Sequence, residues 1–166
     1  MKIVSLVDNV PGKEGIGCEH GLSLYIEANK YKLLFDTSAS GLFLENAKKL
    51  NVEIADVDFA VISHGHYDHG GGLRQFLAAN SKAKIFVKES AFGKYYFRRP
   101  DGRMSFIGLN EKLKPDKRMI FTGERFGVAE NIELFSGVTE RELYPSSNDD
   151  LLAENDGSVG EDSFAH

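Results

Sequence analysis

Phe59-Ala60-Val61-Ile62-Ser63-His64-Gly65-His66-Tyr67-Asp68-His69-Gly70-Gly71-Gly72 is the stretch on which the reading of this chain turns. Its first four residues form a continuous apolar run of strand length, which reads as a strand buried on both faces. Three of the five histidines and an aspartate follow within six residues: His64, His66, Asp68 and His69. Imidazole nitrogen and carboxylate oxygen are ordinary ligands for zinc and similar divalent ions. A loop leaving the C-terminal end of a buried strand is also where α/β proteins place their sites. His64 and His66, two apart on an extended loop, point the same way, with Gly65 keeping the space between them clear. Asp68 and His69 come where the loop turns into a helix and face a second point nearby. Gly70-Gly71-Gly72 lets the backbone turn sharply enough to bring both pairs together. Two pairs of ligands suit a two-metal hydrolytic centre. Histidines that merely solvate a polar loop are the plainer alternative, and their density directly after a buried strand argues against it.

Outward from this stretch, residues 2–8 read as a strand and 9–21, with Pro11, Gly12, Gly15 and Gly17, as a long loop. Residues 22–28 alternate apolar and polar side chains, a half-buried strand that turns at Asn29-Lys30 into a return strand, 31–35, ending at Asp36. Ser40 caps a helix running to about residue 50, with Phe43, Ala47 and Leu50 at helical spacing and Lys48 and Lys49 at its C-terminal end. A short helix is predicted over 71–79, a strand over 84–87 and a short aromatic helix over 90–97. Three more strands are expected over 104–107, 118–121 and 132–135. Strands alternating with helices argue for one layered domain over residues 1–166, of class α/β (α+β in some schemes).

Composition narrows the setting. Apolar residues make up 42% and charged residues 27%, which suits a soluble globular chain. No apolar run approaches the ~20 residues of a membrane span, so no membrane partner is expected. With no signal-like leader and Cys18 as the sole cysteine, the cytoplasm is the expected compartment. The net charge of −5 is uneven: residues 140–166 hold eight acids against Arg141 alone, and read as a solvated or poorly ordered stretch. No basic stripe marks a nucleic-acid face.

His64-x-His66-x-Asp68-His69, preceded by Asp36 at a strand end, resembles the metallo-β-lactamase superfamily. The resemblance implies an αββα sandwich with a metal centre at one sheet edge. It implies that His64 and His66 bind a first metal and that Asp68 and His69 bind a second. Asp68 would also orient the attacking water, and Asp36 would support the loop by hydrogen bonds. Asp36-Thr37-Ser38 stands where many members have Asp-Thr-Gly. Leu6-Val7-Asp8-Asn9, Glu19-His20-Gly21-Leu22-Ser23 and the histidine motif with its three glycines resemble one narrower branch, often labelled dihydropterin ribofuranosylaminobenzene phosphate synthase-like. That label implies a pterin or phosphorylated aromatic substrate. Around the motif, His20 is a candidate support or substrate contact, and Asp8 and Asn9 are weaker candidates that turn chemistry explains as well. Phe92, Tyr95, Tyr96, Phe97, Arg98 and Arg99 read as core or interface, or as a lid that stacks a flat ring and holds an anion.

The family supplies further ligands downstream, whereas after His69 this chain has only His166, and no later aspartate stands at a clear strand end. The chain therefore reads as mainly the N-terminal half of the sandwich. The expected function is a metal-dependent hydrolase, zinc-type with one or two ions and with iron or manganese as alternatives. It would act on a small anionic substrate through a metal-bound hydroxide. The rival readings are a non-catalytic remnant that binds metal weakly or only when assembled, and an iron-dependent redox member of the superfamily. The sheet face left without its second half is expected to meet a partner chain, either another copy or a C-terminal fragment, in preference to residues 104–135 folded back.

Overall fold

A meander of three strands, β1 (Lys2–Val7), β2 (Ser23–Ala28) and β3 (Tyr31–Phe35), opens the chain. The computed structural model describes residues 1–138 and 146–164. Helix α1 (Leu42–Lys49) returns the chain to β4 (Phe59–Val61), parallel to β3. Helices α2 (Tyr67–Gly70) and α3 (Leu73–Ala79) lead to β5 (Lys84–Val87). The chain then makes a hairpin, β6 (Lys94–Arg98) with β7 (Met104–Phe106), before β8 (Met119–Phe121) closes the first sheet in the order β1-β2-β3-β4-β5-β8. A second hairpin pairs β9 (Arg125–Ala129) with β10 (Ile132–Phe135). A third pairs β11 (Leu151–Asn155) with β12 (Ser158–Glu161), and β11 adds to β6 to make a four-stranded antiparallel sheet.

Register decides which residues meet the helices. Val4, Tyr25, Leu34, Ala60, Ile85 and Met119 stand opposite one another across the six strands, so they share one face. That row packs with Phe43 and Ala47 of α1 and with Leu73 and Phe76 of α3 in the main core. The opposite face carries Leu24, Phe35, Val61, Phe86 and Ile120 in a row. The β9–β10 hairpin folds back toward it, with the Phe126 and Phe86 rings 5.5 Å apart. Val61 is buried, Phe35 and Phe59 remain half-buried, and Ile3 at the β1 edge is exposed.

Two expectations need correction. Residues 90–97 form no α-helix: a 3-10 turn over Glu89–Phe92 is followed by strand β6. Tyr95 is buried while Phe97 is exposed, and aromatic runs suit a half-buried strand. Residues 140–166 are not simply a solvated stretch. Leu152 and Ala153 of β11 and Asp162 are buried, while all of β12 is exposed, so its one acid, Glu161, faces water. The hairpin turns on Asp156-Gly157, both with positive φ, as a two-residue β-turn demands. Among the described residues no helix is long and apolar enough to cross a membrane.

Asn80 ties the helical layer to the sheet. Its fully buried amide donates to the carbonyls of Ile54 and Val57, both at 2.9 Å, and accepts from the amides of Lys82 (2.9 Å) and Ala83 (2.7 Å). Asn80→Ala leaves several buried backbone groups unpaired. A loss of about 2–4 kcal/mol in a urea unfolding experiment is expected; a loss below about 0.5 kcal/mol would show that the loop rearranges to satisfy them.

Candidate metal centre

Strands β3 and β4 end side by side, which places Asp36 against Ser63. Asp36 is fully buried with φ 59°, a left-handed conformation that aspartate tolerates, and its amide donates to the Val61 carbonyl at 2.9 Å. One carboxylate oxygen accepts from the Ser63 amide at 2.7 Å. The other accepts from the Ser63 hydroxyl and from His69 Nδ1, both at 2.7 Å. With its proton turned to Asp36, the Ser63 hydroxyl receives His64 Nδ1 at 2.9 Å. His66 is oriented from elsewhere in the chain, with its Nε2 2.8 Å from Oδ2 of Asp162. A carboxylate only accepts, so these contacts assign the ring protons to Nδ1 of His64, Nε2 of His66 and Nδ1 of His69. A metal on each ring would take the opposite nitrogen.

The four motif residues lie in one patch. The His64 ring stands 4.1 Å from His69 and 4.6 Å from His66, centroid to centroid. His69 Nε2 is 3.5 Å from Asp68 Oδ2. Ligands held about 2.1 Å from a tetrahedral ion are about 3.4 Å apart, so this pair is spaced as neighbouring ligands. Among the described residues, no group of three or more His, Cys, Asp or Glu side chains is gathered about one point that could hold a metal ion. The donor chemistry and this pair therefore fit a divalent ion, and the set is not drawn in to a closed cage. Burial acts against the His69 imidazolium, but the hydrogen bond and charge of Asp36 and the charge of Asp68 outweigh it, raising its pKa above the ordinary histidine value.

A cleft of about 560 Å³ opens over these residues. Its floor holds His64, His66, Asp68 and His69, and one wall is the β6–β7 hairpin with Phe97, Arg99 and Ser105. Arg99 Nε donates to the Ser105 hydroxyl at 2.5 Å. Leu151, Asn148 and Phe164 close another side. His20 reaches the rim, its Nε2 3.3 Å from Asp68 Oδ2 with the side chain 69% exposed. Asp8 and Asn9 do not line this cleft: Asn9 instead accepts from the Gly21 amide at 2.8 Å, and Asp8 from the Asn9 amide at 2.6 Å. These are contacts of local loop geometry. Of the aromatic and basic cluster, only Phe97 and Arg99 face the cleft, while Phe92 and Tyr95 are core. Sequence reasoning missed Ser63, Asp162 and Phe164 as parts of the site. The acidic run around Asp162 hid it, since nothing local marks one buried carboxylate among seven others. His166 lies outside the described residues.

The metallo-beta-lactamase superfamily profile matches residues 16–160. The chain is 34% identical over 111 residues to the uncharacterized protein MJ0448 of Methanocaldococcus jannaschii, covering 66% of this chain and 41% of that protein. It is 32% identical over 123 residues to the 7,8-dihydropterin-6-methyl-4-(beta-D-ribofuranosyl)-aminobenzene-5'-phosphate synthase of the same organism, covering 70% and 42%. Among solved structures, Tm1679, a metal-dependent hydrolase of the beta-lactamase superfamily, superposes with a TM-score of 0.77 at 27% identity, over 98% of this chain and 57% of that one. The chain thus spans roughly two fifths of the length of these archaeal relatives. A profile match running from the loop before β2 into β12 settles the family: the chain belongs to the metallo-beta-lactamase superfamily.

Proposed function

We propose that this chain carries the metal-binding part of a metal-dependent hydrolase acting on a small anionic substrate. The observation that carries the reading is that three histidine rings within one patch are each engaged at one nitrogen, by Ser63, Asp162 and Asp36. Surface histidines have no need of such partners; ligand histidines regularly have them. His64 and His66 would hold one ion, Asp68 and His69 a second, with Asp36 orienting His69 and the Ser63 loop. Zinc suits these nitrogen and carboxylate donors, with iron or manganese as alternatives. The chemistry such an ion supplies is Lewis-acid polarisation and acidification of a water. The Asp68 carboxylate would orient that water, Arg99 would draw the anionic group to the wall, and Phe97, Tyr67 and Phe164 would offer faces to a flat ring. A pterin or an aryl phosphate has that form, and a relative is named as a dihydropterin aminobenzene phosphate synthase.

One observation favours a second reading, in which the described chain binds metal weakly until assembled. No three-ligand group is gathered among the described residues, and Phe35 and Phe59 leave the second sheet face partly open. A second copy or a C-terminal fragment on that face would supply both cover and ligands. Zinc titration against a chromogenic chelator tests both readings. The isolated chain is expected to bind with a Kd on the order of micromolar or poorer, because no three-ligand group is gathered among the described residues. No binding at millimolar zinc would overturn the metal assignment. Nanomolar binding by a monomer would overturn the need for assembly and direct attention to His20 and His166.

A further inference from the structure

We infer that Asp162 is a positioning residue for the centre: it fixes the Nε2–H form of His66 and so presents Nδ1 to the metal. The inference rests on the metal reading above. It draws on contacts between residues 96 apart in the chain, made by a carboxylate that the motif does not contain. The side chains of His66 and Asp162 are 5% and 1% exposed, and Nε2 and Oδ2 are 2.8 Å apart. A carboxylate so deeply buried requires partners, and this one has them on both oxygens. Oδ2 takes the imidazole, while Oδ1 accepts from the Phe164 amide at 2.8 Å. The Asp162 amide in turn donates to the Leu151 carbonyl at 3.0 Å, which fastens the residue to the start of β11. Asp162 is therefore held by the β11–β12 hairpin and cannot follow His66 if the ring turns.

The same turn aims Phe164. Its φ is 54°, a strained value for a bulky residue, and the Asp162 Oδ1 bond to its amide helps hold it there. The Phe164 ring stands 5.2 Å from His66 and 5.5 Å from His64, while Tyr95 stands 5.5 Å from His66. Carboxylate, Phe164 and Tyr95 together restrict His66 to one ring orientation. A neutral imidazole has one N–H and one lone pair, so an acceptor on Nε2 directs the lone pair to Nδ1. The hairpin at residues 151–161 thus becomes part of the metal centre, although it contributes no motif residue. The competing account is a buried pair that only pins the hairpin to the first sheet; such a pair would change stability and nothing else.

Two readouts separate these accounts in the full chain. Long-range proton–nitrogen NMR of histidine-labelled, metal-free protein, at pH about 8.5 and so above the ordinary histidine range, reads the ring form of His66 directly. Zinc competition titration reads affinity. The wild-type ring is expected as Nε2–H. Asp162→Ala is expected to lose that preference and to bind zinc about 10–100-fold more weakly. Asp162→Asn, whose amide oxygen still accepts, should retain Nε2–H and lose less than about tenfold. If Asp162→Ala does not fold, Asp162→Asn carries the test, since Nδ1–H with wild-type affinity in that variant would overturn the inference. A lower melting temperature in Asp162→Ala with ring form and affinity unchanged would also overturn it. Failure of the metal reading is distinguishable: His64→Ala would then bind zinc like wild type, while the ring form of metal-free His66 would still report on Asp162.

Discussion

His66→Ala is expected to weaken zinc binding by about 100-fold or more, while His20→Ala changes it less than about tenfold. Removing a ligand deletes a coordination bond outright, whereas loss of a group that only orients a ligand typically costs about 10–100-fold. The two histidines differ in the ways that matter. His66 is buried, its Nε2 is engaged by Asp162, and its ring lies 4.6 Å from that of His64. The His20 side chain is 69% exposed and approaches the centre only through Asp68 Oδ2 at 3.3 Å, so solvent replaces it at little cost. His64→Ala serves as a parallel variant at a half-buried position of the same patch. Metal content is read by elemental analysis after dialysis, and affinity by chelator competition. Equal retention of metal by His66→Ala, His64→Ala and His20→Ala would remove the motif from the centre.

The contrast between these two histidines was legible in part before any coordinates. Residues 59–62 had to be a buried strand, because four apolar residues ending at a polar loop have little other use, and β4 lies third from the β8 edge of its six-stranded sheet. The first three strands and α1 followed from alternation and from helical spacing. Three features were not legible, for different physical reasons. Residues 90–97 read as a short aromatic helix, and only pairing with β11 and β7 makes Lys94–Arg98 a strand. Strand β9 carries Gly127 at its centre, which weakens the strand signal, and its membership depends on β10. Asp162 is the most instructive, since its chemistry comes from burial and burial comes from a hairpin packed 96 residues away from its partner. Its sequence neighbourhood is acidic, which ordinarily signals a solvated surface. The candidate ligands were therefore readable from spacing and Asp36 from the family resemblance, whereas Ser63 and Asp162, which engage His64 and His66, were not.

The three glycines after His69 invite the last argument, because the structure assigns them a different job from the sharp turn expected of them. Gly71 has φ −63° and Gly72 φ −78°, values that any residue adopts. What they lack is a Cβ. At Gly72 that atom would stand 2.2 Å from the Thr37 carbonyl oxygen and 2.3 Å from that of Ser40, with a Phe43 ring carbon at 2.8 Å. The crowding is mutual, because residues 37–40 and 69–72 nest together. The Thr37 amide donates to the His69 carbonyl at 2.7 Å and the Gly72 amide to the Ser38 carbonyl at 3.1 Å. This nesting also sets Asp36 within 2.7 Å of His69 Nδ1. Gly72→Ala forces backbone apart from backbone, and a loss of about 3 kcal/mol or more is expected, at the upper end of overpacking costs. Gly123→Ala, where a Cβ meets nothing within 4 Å, is the control and should change stability by less than about 0.5 kcal/mol. Because the displaced segment carries His69, Gly72→Ala should also weaken zinc binding, although residue 72 is no ligand. Urea unfolding and chelator competition read the two effects on one preparation. A Gly72→Ala protein as stable as wild type would show that the two segments separate freely, and that Asp36 and His69 are not held together by the backbone around them.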